Sequence, residues 1–269
     1  MNAPSRACDC HVHVYDPAYP LAPTATFTPP VATVQSLMAM HDALGMGRVV
    51  VVQPTGYGLD NRCTMDAVAA LGSQRGRAVV VVDAQATDAQ LQALHDGGAR
   101  AVRFMMLAGG VLGWDPLAPV AARIAPLGWH INLQLNGCEL PRHLDRLLAL
   151  PVPLVIDHIA KFLPPPGTDA PAFRALCTLM DTGHCWAKLS APYESSRTGA
   201  PAYGDVAAIA THLAREYPER CLWASNWPHP NRHPTPSDAA LLALLDDWAG
   251  GAAAAQRILI DNPEALYGF

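Results

Sequence analysis

Charge is scarce in this sequence. Asp, Glu, Lys and Arg together make up 15% of its 269 residues, the formal net charge is −5, and Lys and Arg stand singly. No basic stripe exists to neutralise a run of phosphates, so nucleic acid is not an expected partner. No apolar run approaches the ~20 residues needed to span a bilayer, and the opening MNAPSRACDCHVHV lacks an apolar h-region behind a basic start. The expected setting is cytoplasmic, with no membrane partner. CxxC pairs are missing too. The seven cysteines (Cys8, Cys10, Cys63, Cys138, Cys177, Cys185 and Cys221) are dispersed and read as free thiols of a reducing compartment. Neither GxGxxG nor GxxxxGK[ST] follows the first apolar run, which removes the main support for a nucleotide-binding, doubly wound sheet.

What is present is apolar residues, 51% of the chain, in a recurring pattern. Eight short β-branched runs, at 7–14, 48–54, 77–84, 99–106, 130–135, 153–160, 184–191 and 221–228, alternate with segments of helical character. Nearly continuous apolar runs suit strands buried on both faces, as in an all-parallel sheet. Between them lie VQSLMAMHDALG, NRCTMDAVAALG, DAQLQALHDGG, LPRHLDRLLAL, PAFRALCTLMDTG and DVAAIATHLAREY, each long enough for a covering helix. Thr87 with Gln90 predicts a capping box, and Gly97-Gly98 a stop before the fourth strand. The expected fold is an α/β (β/α)8 TIM barrel, one domain over 1–269. Pro17–Pro30, Pro164–Pro171 and Glu194–Tyr203 follow strand ends and are candidate lid or specificity loops, or plain connectors.

Strand periodicity sorts the polar residues, because alternate positions face the barrel interior. It groups Asp9, His11 and His13 on one face, with Cys8 and Cys10 opposite. Arg103 falls at the end of the fourth strand, Asn132, Gln134 and Asn136 share a face at the fifth, Asp157-His158 end the sixth, and Asn226 lies on the eighth. Gln53, at the end of the second, joins the substrate-contacting candidates. Any one of these alone reads as a satisfied buried polar group. Three histidines and an arginine at matching depth on three strands read as a site. His41, His95, His143 and His212, on helical segments, are expected at the surface.

The motifs DCHVHVYDP, HIAKF and WASNWPHPN, with the closing NPEALYGF, resemble the metal-independent lactonase branch of the amidohydrolase superfamily. The resemblance runs over nearly the whole chain from about Asp9. It implies an enzyme acting on a small acidic lactone without metal or other cofactor. Metal-binding members add a fifth-strand histidine and an eighth-strand aspartate, where this chain has Gln134 and Asn226. By resemblance His11, His13 and His158 polarise the lactone carbonyl, and Arg103 holds a substrate carboxylate. Lys161, Tyr193, Arg197 and His229 join Gln53, Gln134 and Asn136 as substrate contacts. A second arginine of the pattern, six residues beyond Arg103, is replaced by Gly109-Gly110.

A neutral amide at 226 cannot take a proton from water, so the aspartate base of the lactonase pattern does not transfer. DHIAKF, Gln134, YESSR and SNWPH resemble instead the lactone isomerases of the same branch, which lack the first histidine. His158 and Glu194 are the remaining candidate bases. Lactone hydrolysis is the first reading, isomerisation with a substrate hydroxyl as acceptor the second, and a non-catalytic barrel binding an acidic ligand the third. The oligomeric state has no signal in the sequence.

Overall fold

A computed structural model describes residues 6–269. The first five residues of the segment read above for a leader lie outside the described residues. Among the described residues no helix is long and apolar enough to cross a membrane. Eight parallel strands lie in sequence order: β1 (Cys8–Val12), β2 (Arg48–Val52), β3 (Gly76–Val80), β4 (Ala99–Met105), β5 (His130–Gln134), β6 (Leu154–Ile156), β7 (Cys185–Ser190) and β8 (Cys221–Ala224). Beyond β8 the chain reaches back to β1: Asn226 N donates to His11 O at 3.0 Å, and His13 N to Trp227 O at 2.8 Å. These bonds close the ring at the strands' C-terminal end and make the (β/α)8 barrel.

The helices α1 (Val34–Leu44), α2 (Arg62–Leu71), α3 (Asp88–Asp96), α5 (Leu140–Leu148), α6 (Pro171–Asp181) and α7 (Gly204–Glu216) match the six periodic segments. The sequence reading had not singled out α4 (Leu117–Ile124), α8 (Asp238–Ala249), α9 (Ala252–Gln256) or α10 (Asn262–Tyr267). The Thr87–Gln90 capping box forms in full at the start of α3. Gly98, just before β4, has φ +102°, a conformation that a β-carbon resists.

Outward-facing Val49, Val51, Ala78, Val80, Phe104, Ile131 and Leu133 pack under the helices. Inward, Cys8, Cys10, Val50, Val52, Val79, Ala101, Val155, Trp186 and Leu222 form a second apolar cluster, joined by Tyr267 of α10. Arg77 holds this plug by donating to Tyr267 O at 3.1 Å and to Gly268 O, while Arg48 and Arg77 lie over the Phe269 ring. This end of the barrel is apolar apart from Arg77 and His130, whose ring packs on Tyr267. The histidines of β1 and β6 and their polar partners gather at the other.

Strict alternation fails in β1. Asp9 pairs with Val49 and Val12 with Val51, so Cys10 and His11 together stand opposite the single residue Val50. This β-bulge turns both of them inward and leaves Asp9 outside. The Asp9 side chain is therefore on the opposite face from the His11 and His13 rings: its carboxylate accepts from Ser225 N at 3.0 Å, from Ser225 Oγ and from the His11 backbone N at 3.2 Å, and lies 3.3 Å from His41 Nε2. His41, expected at the surface, is fully buried. It shares the inner face of α1 with Leu37 and Leu44, at helical spacing. His95, His143 and His212 are half-buried.

Candidate active site

The centre of the site is a lysine that sequence reading passed over. Lys188, on β7, is 0% exposed, and its Nζ lies 2.6 Å from Asn132 Oδ1, 3.1 Å from Asp157 Oδ1 and 3.2 Å from His11 Nδ1. The ammonium donates to Asn132 Oδ1 and His11 Nδ1 and forms an ion pair with Asp157. Asn132 completes the set by donating Nδ2 to Asp157 Oδ2 at 2.7 Å. Burial alone would raise the Asp157 carboxyl. Lys188, followed by His11 and His158, outweighs burial and holds it well below the usual carboxylate value.

The same contacts fix the histidine tautomers. His13 Nδ1 donates to Val52 O at 2.8 Å, so His13 Nε2 carries a lone pair. That nitrogen lies 3.3 Å from His11 Nε2, which therefore holds a proton and leaves His11 Nδ1 to accept from Lys188. Burial, then Asp157 and Lys188 in opposite senses, sets His11 well below its ordinary pKa. Burial and then Arg103 bring His13 to about 3. His158, just after β6, packs against His11 with ring centroids 4.7 Å apart and is held through Nδ1 by Ser190 Oγ at 2.8 Å. Burial takes its pKa to about 4. All three imidazoles are neutral near pH 7.

Arg103 reaches the same interior from β4. It donates to Gln53 O and to Gln134 Oε1, each at 2.8 Å; its Nε is buried without a partner, and no carboxylate pairs with it among the described residues. Gln53 offers only its backbone. Its side-chain Nε2 donates to Gly58 O and Asp60 O while Oε1 accepts from Thr64, which holds the β2–α2 loop. Asn136 likewise spends its side chain on a loop, accepting from Cys138 N and Leu163 N. Six residues beyond Arg103, Gly109 has φ +86° and a β-carbon there would lie 3.1 Å from Thr26 Oγ1, while one on the next residue, Gly110, would lie 1.9 Å from Met105 O. The turn as it stands disfavours a side chain at either position.

On the far wall Glu194 accepts from Lys161 Nζ at 2.6 Å and pairs with Arg232 at 2.9 Å. Burial would raise its carboxyl, but Lys161, then His158 and Arg232, hold it below its ordinary value. Both oxygens are occupied, which makes it a poor base. Tyr193 Oη bonds His229 Nδ1 at 2.8 Å and accepts from Asn226 Nδ2 at 3.0 Å. Asn226 adopts φ +63°, which asparagine tolerates well. Arg197 is exposed, and its one hydrogen bond among the described residues is from backbone N to Asp205. The structure thus gathers His11, His13, His158, Arg103, Gln134, Asn226, Tyr193 and His229. It commits the Gln53 and Asn136 side chains to loops and leaves the Arg197 side chain exposed.

A metal would find ligand atoms in His11, Asp157 and His158, which lie within 4.8 Å of one another. The fit is poor. Lys188 already places a positive charge against Asp157 and His11, and a dication beside it meets repulsion rather than a free carboxylate.

A parallel eight-stranded barrel with HxH on β1, a histidine after β6 and a polar rim after β8 is an amidohydrolase arrangement. The amidohydrolase family model matches residues 8–269, and the chain belongs to that family. It is 38% identical to a 2-pyrone-4,6-dicarboxylate hydrolase of Comamonas testosteroni, over 99% of this chain and 92% of that one. It is 36% identical to a D-galactarolactone isomerase of Agrobacterium fabrum, over 98% and 91%. A solved apo structure from Agrobacterium tumefaciens superposes with a TM-score of 0.95 at 36% identity, covering 100% of this chain and 97% of that one.

Proposed function

We propose that this enzyme opens a small carboxylated lactone by acyl transfer at the ring carbonyl, without a metal. The observation that carries the reading is Arg103, a buried guanidinium with an unpartnered Nε and no carboxylate of its own beside the histidines. Burying an unpaired charge costs several kcal/mol, and an anionic substrate group offsets that cost. A carboxylate on Arg103 brings the lactone carbonyl towards His158 and the His11–His13 pair, where an N–H donor stabilises the oxyanion as it forms. His13 accepts from His11 and orients its proton. Lys188, behind His11, supplies the fixed positive charge.

Water as acceptor makes the reaction a hydrolysis. Isomerisation is the second reading, and two observations favour it: Asn226 is no base, and Glu194, the other carboxyl near the mouth, has both oxygens in ion pairs. A substrate hydroxyl held in place needs less base than water does. Arg103, which among the described residues has no carboxylate partner beside the histidines, and the turn at Gly109-Gly110 suit a lactone with one carboxylate, such as that of a sugar diacid, better than a dicarboxylate. Turnover of 2-pyrone-4,6-dicarboxylate and of sugar-diacid lactones, followed by NMR, tests the proposal. Turnover of neither class, or equal turnover of lactones lacking a carboxylate, overturns it.

A further inference from the structure

Beyond the histidines, a line of buried polar contacts runs from α8 to the site. Asp238, in the first turn of α8, lies 2.9 Å from His229 Nε2; His229 Nδ1 lies 2.8 Å from Tyr193 Oη; Tyr193 Oη lies 3.0 Å from Asn226 Nδ2. The His229 side chain is 1% exposed. A carboxylate only accepts, so His229 Nε2 carries a ring proton, and in the neutral ring Nδ1 is bare. Tyr193 must then donate its hydroxyl proton to Nδ1, and its oxygen can only accept from residue 226. That leaves one orientation of the Asn226 amide, with Nδ2 on the tyrosine and Oδ1 without a partner among the described residues, while the Asn226 backbone N–H holds the His11 carbonyl at 3.0 Å.

We propose that Asp238, His229 and Tyr193 form a positioning chain that fixes the Asn226 amide with Oδ1 as its free atom, so that residue 226 receives a substrate hydroxyl instead of donating to it. The direction set at Asp238 is passed along three bonds and decides which acceptor group the site aligns. A hydroxyl received by Oδ1 has its oxygen lone pairs turned away from the amide and available for the carbonyl; as that C–O bond forms and the ring C–O bond breaks, the hydroxyl proton passes to the departing ring oxygen. An amide of the opposite sense would hold those lone pairs and block attack. The substrate part of this inference rests on the lactone reading; the chain itself rests on geometry alone.

Two measurements test it. Long-range 1H–15N spectra of the resting protein should show His229 as the neutral Nε2–H tautomer, and an Nδ1–H tautomer overturns the chain whatever the substrate is. On the sugar-diacid lactone, Tyr193→Phe should lower kcat about three- to tenfold, the share of one neutral hydrogen bond, with KM within about twofold. In the Asn226→Asp background the two carboxylate oxygens are equivalent and no orientation remains to be set, so Tyr193→Phe should then change kcat less than about twofold. An equal loss in both backgrounds places Tyr193 on the substrate and overturns the positioning role. If the wild-type protein turns over no lactone, the functional reading fails, while the His229 spectrum still judges the chain.

Discussion

Replacing Lys188 by Met removes a cation but keeps an unbranched side chain of similar length. Asp157 would remain fully buried, without the group that holds it ionised, while Asn132 Oδ1 and His11 Nδ1 would each lose a donor. Breaking a buried ion pair from one side costs about 3–5 kcal/mol, because the other charge is stranded. For a chain near this size, each kcal/mol lowers Tm by roughly 2–4 °C, so the expected drop is on the order of 6–20 °C. Calorimetry and urea titration near pH 7 measure it. The sign of the pH dependence follows. In the wild type Asp157 is held low, so its stabilisation is present above the unfolded carboxyl value of about 4 and is lost below it. In the variant the stranded carboxyl is raised by burial, so protonation relieves it and the gap between the two proteins narrows towards about pH 5. Lys188→Met combined with Asp157→Asn strands no charge and should recover most of the loss. A single variant within about 1 kcal/mol of wild type, or a double variant no better than the single, refutes the argument.

Arg103→Met should lower kcat/KM on a carboxylated lactone about 10- to 150-fold, the share of a charged hydrogen bond, and should have much less effect on the corresponding neutral ester; equal losses on both would detach Arg103 from the carboxylate. Asn226→Asp should raise the ratio of hydrolysis to isomerisation in 18O-labelled water, and an unchanged ratio would move the base elsewhere. With His13 at about 3 and His158 at about 4, both depressed from an unfolded value near 6.5, stability is complete above about pH 6.5 and declines as the pH falls towards 4. Urea midpoints that stay flat over that range would contradict the buried, neutral imidazoles. Metal analysis of active enzyme should find no stoichiometric zinc or manganese, and activity lost on chelation and restored by metal would overturn the cation role of Lys188.

All eight strands were legible because runs such as RVVVVQP and RAVVVVDA are buried on both sides and leave no competing period. The sixth ends earlier than its apolar run, since His158, Ile159, Ala160 and Lys161 all take positive φ. The histidines and Arg103 were legible as chemistry at strand ends. Lys188 was not, although it sits at alternate spacing between Trp186 and Ser190 on a strand buried on both faces, where a cation needs a partner; that spacing was the available signal. Asp157 was noted as a neighbour of His158 but not as the anion Lys188 requires. Glu194 read as a candidate base because Arg232, which occupies it, comes 38 positions later in the chain. His41 was misplaced for want of its partner Asp9, whose own position depends on the bulge.

That bulge separates the first strand into two parts with different phases. Below it, Cys8 and Cys10 keep step with Val50 and its neighbours in the dry layer; above it, His11 and His13 keep step with the reacting groups. One additional residue therefore lets the supporting half and the reacting half of a single strand diverge independently. Removing that residue would rotate Cys8 and Cys10, or else His11 and His13, out of the interior as a block. A transplant of this site into another barrel must carry the irregularity along with the two histidines, because without it the same letters present the wrong side.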